Sequence, residues 1–200
     1  GRVHLDSKGL SSFKPAIADA GLQGIAGLFF LKIAPYSTNP RLAVRIDEGR
    51  VDCGFLRLPT LPKFDTILLK QDEYKVVLPS DHALAKKETV AAEDLNGLPF
   101  LLPEHGGKTE VSDLLERTHV QPDVRFTTWE DFAIMAMVEK GLGVSILPDL
   151  ILQRIPYRIE VRPLQQPYYR QIVLAMKQQA HLTPAVQKFI EYLPLREAQR

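Results

Sequence analysis

The stretch FTTWEDFAIMAMVEKGLGVSILPDL, Phe126 to Leu150, constrains the fold more than any other part of this chain, because it reads as a complete strand, helix, strand unit. Polar Thr127 and Thr128 stand between a β-type run and an apolar helical run, and GLG at 141–143 opens a short buried strand that Pro148 ends. Such units are the pattern expected around mainly parallel sheets. A helix that starts at the end of such a strand presents unbonded N–H groups and the positive end of its dipole, where a small anion or polar ligand can be held. The unit therefore points to binding or sensing more than to bond-breaking.

The same alternation continues along the chain and makes the fold class α/β. The expected strands are Arg2 to Leu5, Leu28 to Ile33, Val51 to Phe55, Thr66 to Lys70, Tyr74 to Pro79, Phe100 to Leu102, Val124 to Phe126, Val144 to Leu147, Ile159 to Pro163 and Ile172 to Lys177. Near the end, Thr183 can cap a helix whose first position suits Pro184, and Val186, Phe189, Ile190 and Leu193 recur at the spacing that lays one face on a sheet. In the central helix Trp129, Phe132, Ala133, Ala136 and Met137 form one broad apolar stripe, with Glu130, Asp131, Glu139 and Lys140 at its ends. Gly141 or Gly143 supplies left-handed or close-packed backbone at the exit. Two polar seams, Gln71 to Tyr74 and Pro163 to Tyr169, separate β-type runs, as in a chain that leaves one lobe, builds a second and returns.

Composition removes several function classes. The net charge is +1 over 200 residues, and no Lys/Arg run is long enough to track a nucleic-acid backbone, so these residues are not expected to grip DNA themselves. A single cysteine, Cys53, rules out an internal disulfide and sits between Asp52 and Gly54 in an apolar strand, where a small buried hydrophobe is the simplest reading. The five histidines, His4, His82, His105, His119 and His181, lack close metal spacing, and there is no GxSxG elbow or Cys–His pairing. No metal, cofactor or catalytic group is expected. No apolar run reaches the length of a membrane span, and the default compartment is the cytoplasm.

Four segments together resemble the effector-binding domain of LysR-type transcriptional regulators: EGRVDCGFLRLP at Glu48 to Pro59, VVLPSDHALAKKETVAAEDLNGLPFLL at Val76 to Leu102, TTWEDFAIMAMVEKGLGVSILP at Thr127 to Pro148, and RPLQQPYYRQIVLAMK at Arg162 to Lys177. The resemblance implies a type 2 periplasmic binding protein fold: two Rossmann-like subdomains with mainly parallel sheets joined by two crossover strands. Residues 1–72 with 168–200 would form the first subdomain and 73–167 the second, with the effector between them. It also implies a homodimer through the regulatory domains, a tetramer for the intact regulator, and DNA contact only through a winged helix-turn-helix that this chain lacks. No membrane partner is implied. A solute-binding protein of a transporter, which shares the architecture, is the alternative.

The candidate effector-binding residues sit at strand ends. Thr127 and Thr128 could hydrogen-bond a carboxylate or serve only as helix caps. Ser37 and Thr38 precede a stretch whose Pro40 fits a helix start, and the resemblance makes their loop ligand-lining; Ser11 and Ser12 are the corresponding first-lobe residues. Arg57, after the VDCGF run, could pair bidentately with a carboxylate or simply be solvated. In LLPEHGGK, Pro103 and Glu104 begin a turn that is either ligand-facing or an ordinary glycine turn, and GGK is no phosphate loop. Trp129 could cover an aromatic effector or pack in the core. The expected effector is a small carboxylate or other small anion.

Overall fold

The computed structural model describes residues 33–34, 40–103, 109–128, 130–153, 155–177 and 183–193. Contacts between α-carbons divide the chain into two compact units, one of residues 1–71 and 171–200, the other of residues 72–170.

In the first unit, β1 (Ile33–Ala34) runs parallel to β2 (Cys53–Arg57), joined through helix α1 (Pro40–Asp47). On its other edge β2 pairs antiparallel with the end of a long strand, β7 (Ile159–Met176), from Cys53↔Met176 to Arg57↔Ile172. The period-two alternation of these strands feeds two cores. Leu56, Val173 and Ala175 pack with Leu42 and Ile46 of α1, while Cys53, Phe55, Leu174 and Met176 pack with Val186 and Phe189 of the C-terminal helix α5 (Pro184–Tyr192). A sheet covered on both faces needs apolar residues at consecutive positions, which is why CGFL and IVLAM read as unbroken runs. Helix α5 has the expected start: Pro184 is in its first turn and the Thr183 side chain accepts from the Val186 N–H at 3.4 Å. Val186 and Phe189 each contribute about 1.5–3 kcal/mol by leaving water.

The second unit is built the same way. The latter part of β3 (Asp65–Pro79) pairs antiparallel with β6 (Ser145–Pro148), from Tyr74↔Pro148 to Val77↔Ser145. β4 (Pro99–Pro103) and β5 (Asp123–Thr128) form a parallel pair with a register shift at Phe100/Leu101, and helix α2 (Glu110–Arg117) connects them. Helix α3 (Asp131–Glu139) links β5 to β6 as the opening segment requires, and α4 (Asp149–Leu152) follows β6. Alternation again sorts the core: Tyr74, Val76, Leu78 and Phe100 face Val111, Leu114 and Leu115 of α2, whereas Val77, Leu101 and Leu147 face Ile134, Met135 and Val138 of α3. At the exit of α3 both glycine roles are filled. Gly141 has φ +71°, and a Cβ on Gly143 would lie 2.6 Å from the Pro99 carbonyl oxygen. That close approach lets the Val144 N–H donate to the Pro99 oxygen at 2.8 Å and lays β6 beside β4.

Three expectations are corrected. The runs Thr66 to Lys70 and Tyr74 to Pro79 are one strand, β3, and Ile159 to Pro163 and Ile172 to Lys177 are likewise one, β7. The two seams are the interiors of continuous strands; Asp72 of the first pairs in the interior with Arg170, the residue that follows the second. The β2 strand lies two residues later than Val51 to Phe55, so that Arg57 is its last residue and pairs with Ile172. On α3 the buried face is Ile134, Met135 and Val138; Phe132 is 55% exposed and Ala133 is exposed. A helix apolar around most of its circumference gives periodicity no way to choose a face.

Candidate functional site

The second unit brings together the carboxyl ends of two parallel strands and the start of a helix. Pro103 ends β4 and Thr128 ends β5, and the two are register partners, with Leu102 opposite Thr127 one step earlier. The α3 helix starts at Asp131, close behind Thr128, and is fixed by its buried residues against Leu101 of β4 and Leu147 of β6. In an α/β sheet this is the end at which ligands are bound, because N–H groups of the following helices converge there.

The start of α3 differs from an ordinary capped start. Its N-cap residue is Glu130, whose side chain makes no capping bond. The Thr128 hydroxyl accepts from the Glu130 N–H at 3.3 Å, which shapes the turn but lies ahead of the first-turn donors. Thr128 is half-buried and Thr127 exposed. Within the first turn, burial lifts the Asp131 carboxyl from its ordinary range to about 6; Arg170 opposes the rise and Glu130 adds to it.

Behind this lies the one fully interior ion pair among the described residues. The Arg170 guanidinium donates through Nε and Nη2 to Oδ2 of Asp72 at 2.8 and 2.7 Å, and Asp72 Oδ1 accepts from the Leu150 N–H at 2.9 Å. One carboxylate thus ties β3, β7 and the start of α4. Arg170 also lies 5.7 Å from the ring centre of Tyr74, which in turn stacks on Tyr168 at 5.8 Å. Asp72 lies in the first polar seam, and Arg170 opens the β-type run that follows the second. The one signal available was their proximity to the ends of apolar strands, which is too common to single them out. Asp131 was read only as a helix-end charge.

The remaining candidates are placed as follows. Arg57, half-buried, closes β2 in the first unit. Ser11, Ser12, Ser37, Thr38, Glu104 and Trp129 lie outside the described residues. Cys53 is fully buried, and burial first, then the neighbouring Asp52, pushes its thiol up to about 12, so it offers no thiolate nucleophile. His82 caps a 3₁₀ turn, its Nδ1 accepting from the Leu84 N–H at 3.2 Å, and His119 holds φ 55° where α2 ends. Among the described residues no group of His, Cys, Asp and Glu could hold a metal ion. No helix among them is long and apolar enough to cross a membrane.

Residues 32–196 match the family model of the LysR substrate binding domain. The chain belongs to that family. Its relatives are regulators rather than enzymes. The LysR domain described here is 35% identical over 166 residues to the probable HTH-type transcriptional regulator LrrA of Synechococcus elongatus, a match covering 82% of this chain and 56% of LrrA. It therefore spans about half the length of the curated relatives it matches. Its fold is shared with the CcmR regulatory domain of Synechocystis in complex with 2-PG, at TM-score 0.78 and 21% identity over 92% of this chain and 90% of that one. It is shared also with the BenM effector binding domain with its effector benzoate, at TM-score 0.75 and 22% identity over 92% and 84% of the two chains. The α/β, type 2 periplasmic-binding-protein fold and the LysR resemblance read from the four segments both hold.

Proposed function

We propose that this LysR domain senses a small organic acid through the Pro103, Thr127 and Thr128 strand ends of the second unit, acting by binding and without catalysis. The observation that carries the reading is the α3 start, whose N-cap Glu130 makes no side-chain capping bond, set directly behind register partners Pro103 and Thr128. Uncapped N–H donors and a hydroxyl suit a carboxylate, and the solved relatives in this fold hold 2-PG and benzoate. Arg57, with Ser37, Thr38, Ser11 and Ser12, supplies the first unit's share of the contacts, and Glu104 and Trp129 complete the second unit's; the family resemblance carries that part.

The effector works by favouring one arrangement of the oligomer over another, with a coupling of about 1–3 kcal/mol, and it can shift the balance only by its difference in affinity for the two. The working assembly is a homodimer through regulatory domains and a tetramer of the intact regulator, located in the cytoplasm, with DNA held by a winged helix-turn-helix outside this chain. Exposed Val124 and Phe126 on β5 and Phe132 at the start of α3 provide apolar surface for such self-association. Because the matched relatives are regulators, the transporter reading is not favoured.

The test is a thermal-shift screen of metabolite acids followed by titration of the best one against Thr128→Ala and Arg57→Ala. Each substitution is expected to weaken binding about tenfold, as loss of a hydrogen bond to a charged ligand does. Equal affinity in both variants would overturn the site.

A further inference from the structure

A concavity lies within the 72–170 unit, lined by residues other than those at the strand ends. It has a volume of about 260 Å³ and is walled by the end of α2, the 3₁₀ turn Ala92–Leu95 and the Leu164 to Tyr168 part of β7. The backbone around it is fixed, since Val90 and Leu164 bridge in parallel and the Gln165 N–H donates to the Val90 oxygen at 2.8 Å. Its apolar lining is Leu114 and Leu164, 6% and 2% exposed, together with the Tyr168 ring. Two side chains of opposite charge also line it, Arg117 and Glu93, both exposed. Neither forms an ion pair or side-chain hydrogen bond among the described residues. Arg117 in the last turn of α2 complements the helix dipole, but that role leaves its guanidinium open to a ligand.

The field inside the concavity carries both signs. Burial raises the Tyr168 phenol above its ordinary range, Arg117 pulls it down, and Asp113 and Glu110 push it up. A plain carboxylate would meet Arg117 but also three acids, and a plain amine the reverse. A molecule bearing both charges on a short spacer satisfies both, while its apolar body covers Leu114 and Leu164. The volume falls just below the roughly 300–1,000 Å³ typical of drug-sized ligands, which suits a molecule the size of a single amino acid.

We propose that this concavity is a second ligand site, separate from the strand-end site, that takes a free α-amino acid with an apolar or aromatic side chain, its carboxylate on Arg117 and its ammonium group toward Glu93. The side chain lies between Leu114, Leu164 and the Tyr168 ring. Because Tyr168 stacks on Tyr74, over which Arg170 sits, an occupant braces the ring adjoining the Asp72–Arg170 pair.

The experiment is a methyl and aromatic NMR titration of the 200-residue chain with L-phenylalanine, and in parallel with N-acetyl-L-phenylalanine and phenethylamine, which each lack one charge. Saturating shifts at Leu114, Leu164 and Tyr168 are expected for L-phenylalanine, with a Kd in the range of roughly 0.1–1 mM. Each one-charge analogue, and each of Arg117→Gln and Glu93→Gln, is expected to bind about fivefold more weakly. Thr128→Ala is expected to leave this binding unchanged, which separates the result from the fate of the strand-end site. Shifts that do not saturate, shifts at Thr128 in place of Leu164, or equal binding by the analogues and both Gln variants would each overturn the proposal.

Discussion

Three helices of this domain begin after a threonine, and they begin differently. Helices α2 and α5 have Thr109 and Thr183 at the N-cap, each side chain accepting from the N–H three residues on. Before α3 the threonine stands two residues too early, its hydroxyl is spent on the Glu130 N–H, and the cap position is filled by an acid that closes nothing. A helix whose first donors are satisfied from within is a structural element, and one whose donors are left open beside two strand ends is suited to a ligand. A missing cap does not by itself mark a site, since α4 also starts without one; at α3 it coincides with the two strand ends.

The largest test of that contrast removes the cation behind α3. Arg170→Met leaves the Asp72 carboxylate buried without its partner, and a loss of about 3–5 kcal/mol in urea unfolding at pH 7 is expected. Because Arg170 holds the Asp131 carboxyl down, the same variant is expected to move the Asp131 titration above about 6, read from its carboxyl carbon shift. No movement would mean that the interior pair and the helix start are electrically separate.

Next in size is Asp131→Asn. A carboxyl whose value is raised on folding favours the folded state only while protonated, so its contribution is complete below its unfolded value near 4 and is lost as pH rises through about 6. At pH 7 the charged acid is a burden, and Asp131→Asn is expected to stabilise by about 1–2 kcal/mol while flattening the pH dependence of stability across that window. A destabilised variant would show that the charge serves the helix start more than its burial harms it.

The smallest effects separate the three helix starts directly. Thr183→Ala and Thr109→Ala are each expected to cost about 1 kcal/mol in stability. Thr128→Ala is expected to cost at most about 0.5 kcal/mol, its consequence falling on ligand affinity instead. Equal losses in all three, measured by chemical denaturation, would erase the distinction.

Legibility in the sequence followed how local the deciding interaction is. Thr183, Pro184 and the spacing of Val186 and Phe189 specify α5 from neighbouring residues alone, and Gly141 and Gly143 announced the exit of α3 for the same reason. The buried face of α3 was not legible, because Ala133 and Met137 are as apolar as Ile134 and Val138 and only the facing sheet decides between them. The continuity of β3 and β7 through the two polar seams was not legible, because Asp72 is held by a partner 98 residues away and no local pattern signals one so distant. Within the candidate site, Thr128 and Pro103 could be found from their place at strand ends, whereas the shifted carboxyl of Asp131 depends on burial that spacing does not encode.

The Asp72 carboxylate has one further consequence, for the order in which the chain is made. Its cation lies 98 residues downstream, so during synthesis the acid remains without its counter-charge until the whole 72–170 segment has left the ribosome. That segment is continuous, and arrival of Arg170 completes it. The other unit must wait for residues 171–176, which add the β7 segment that pairs with β2, and for α5 after them. The ion pair thus falls at the moment when the later-starting half of the domain can close and the earlier-starting half still cannot.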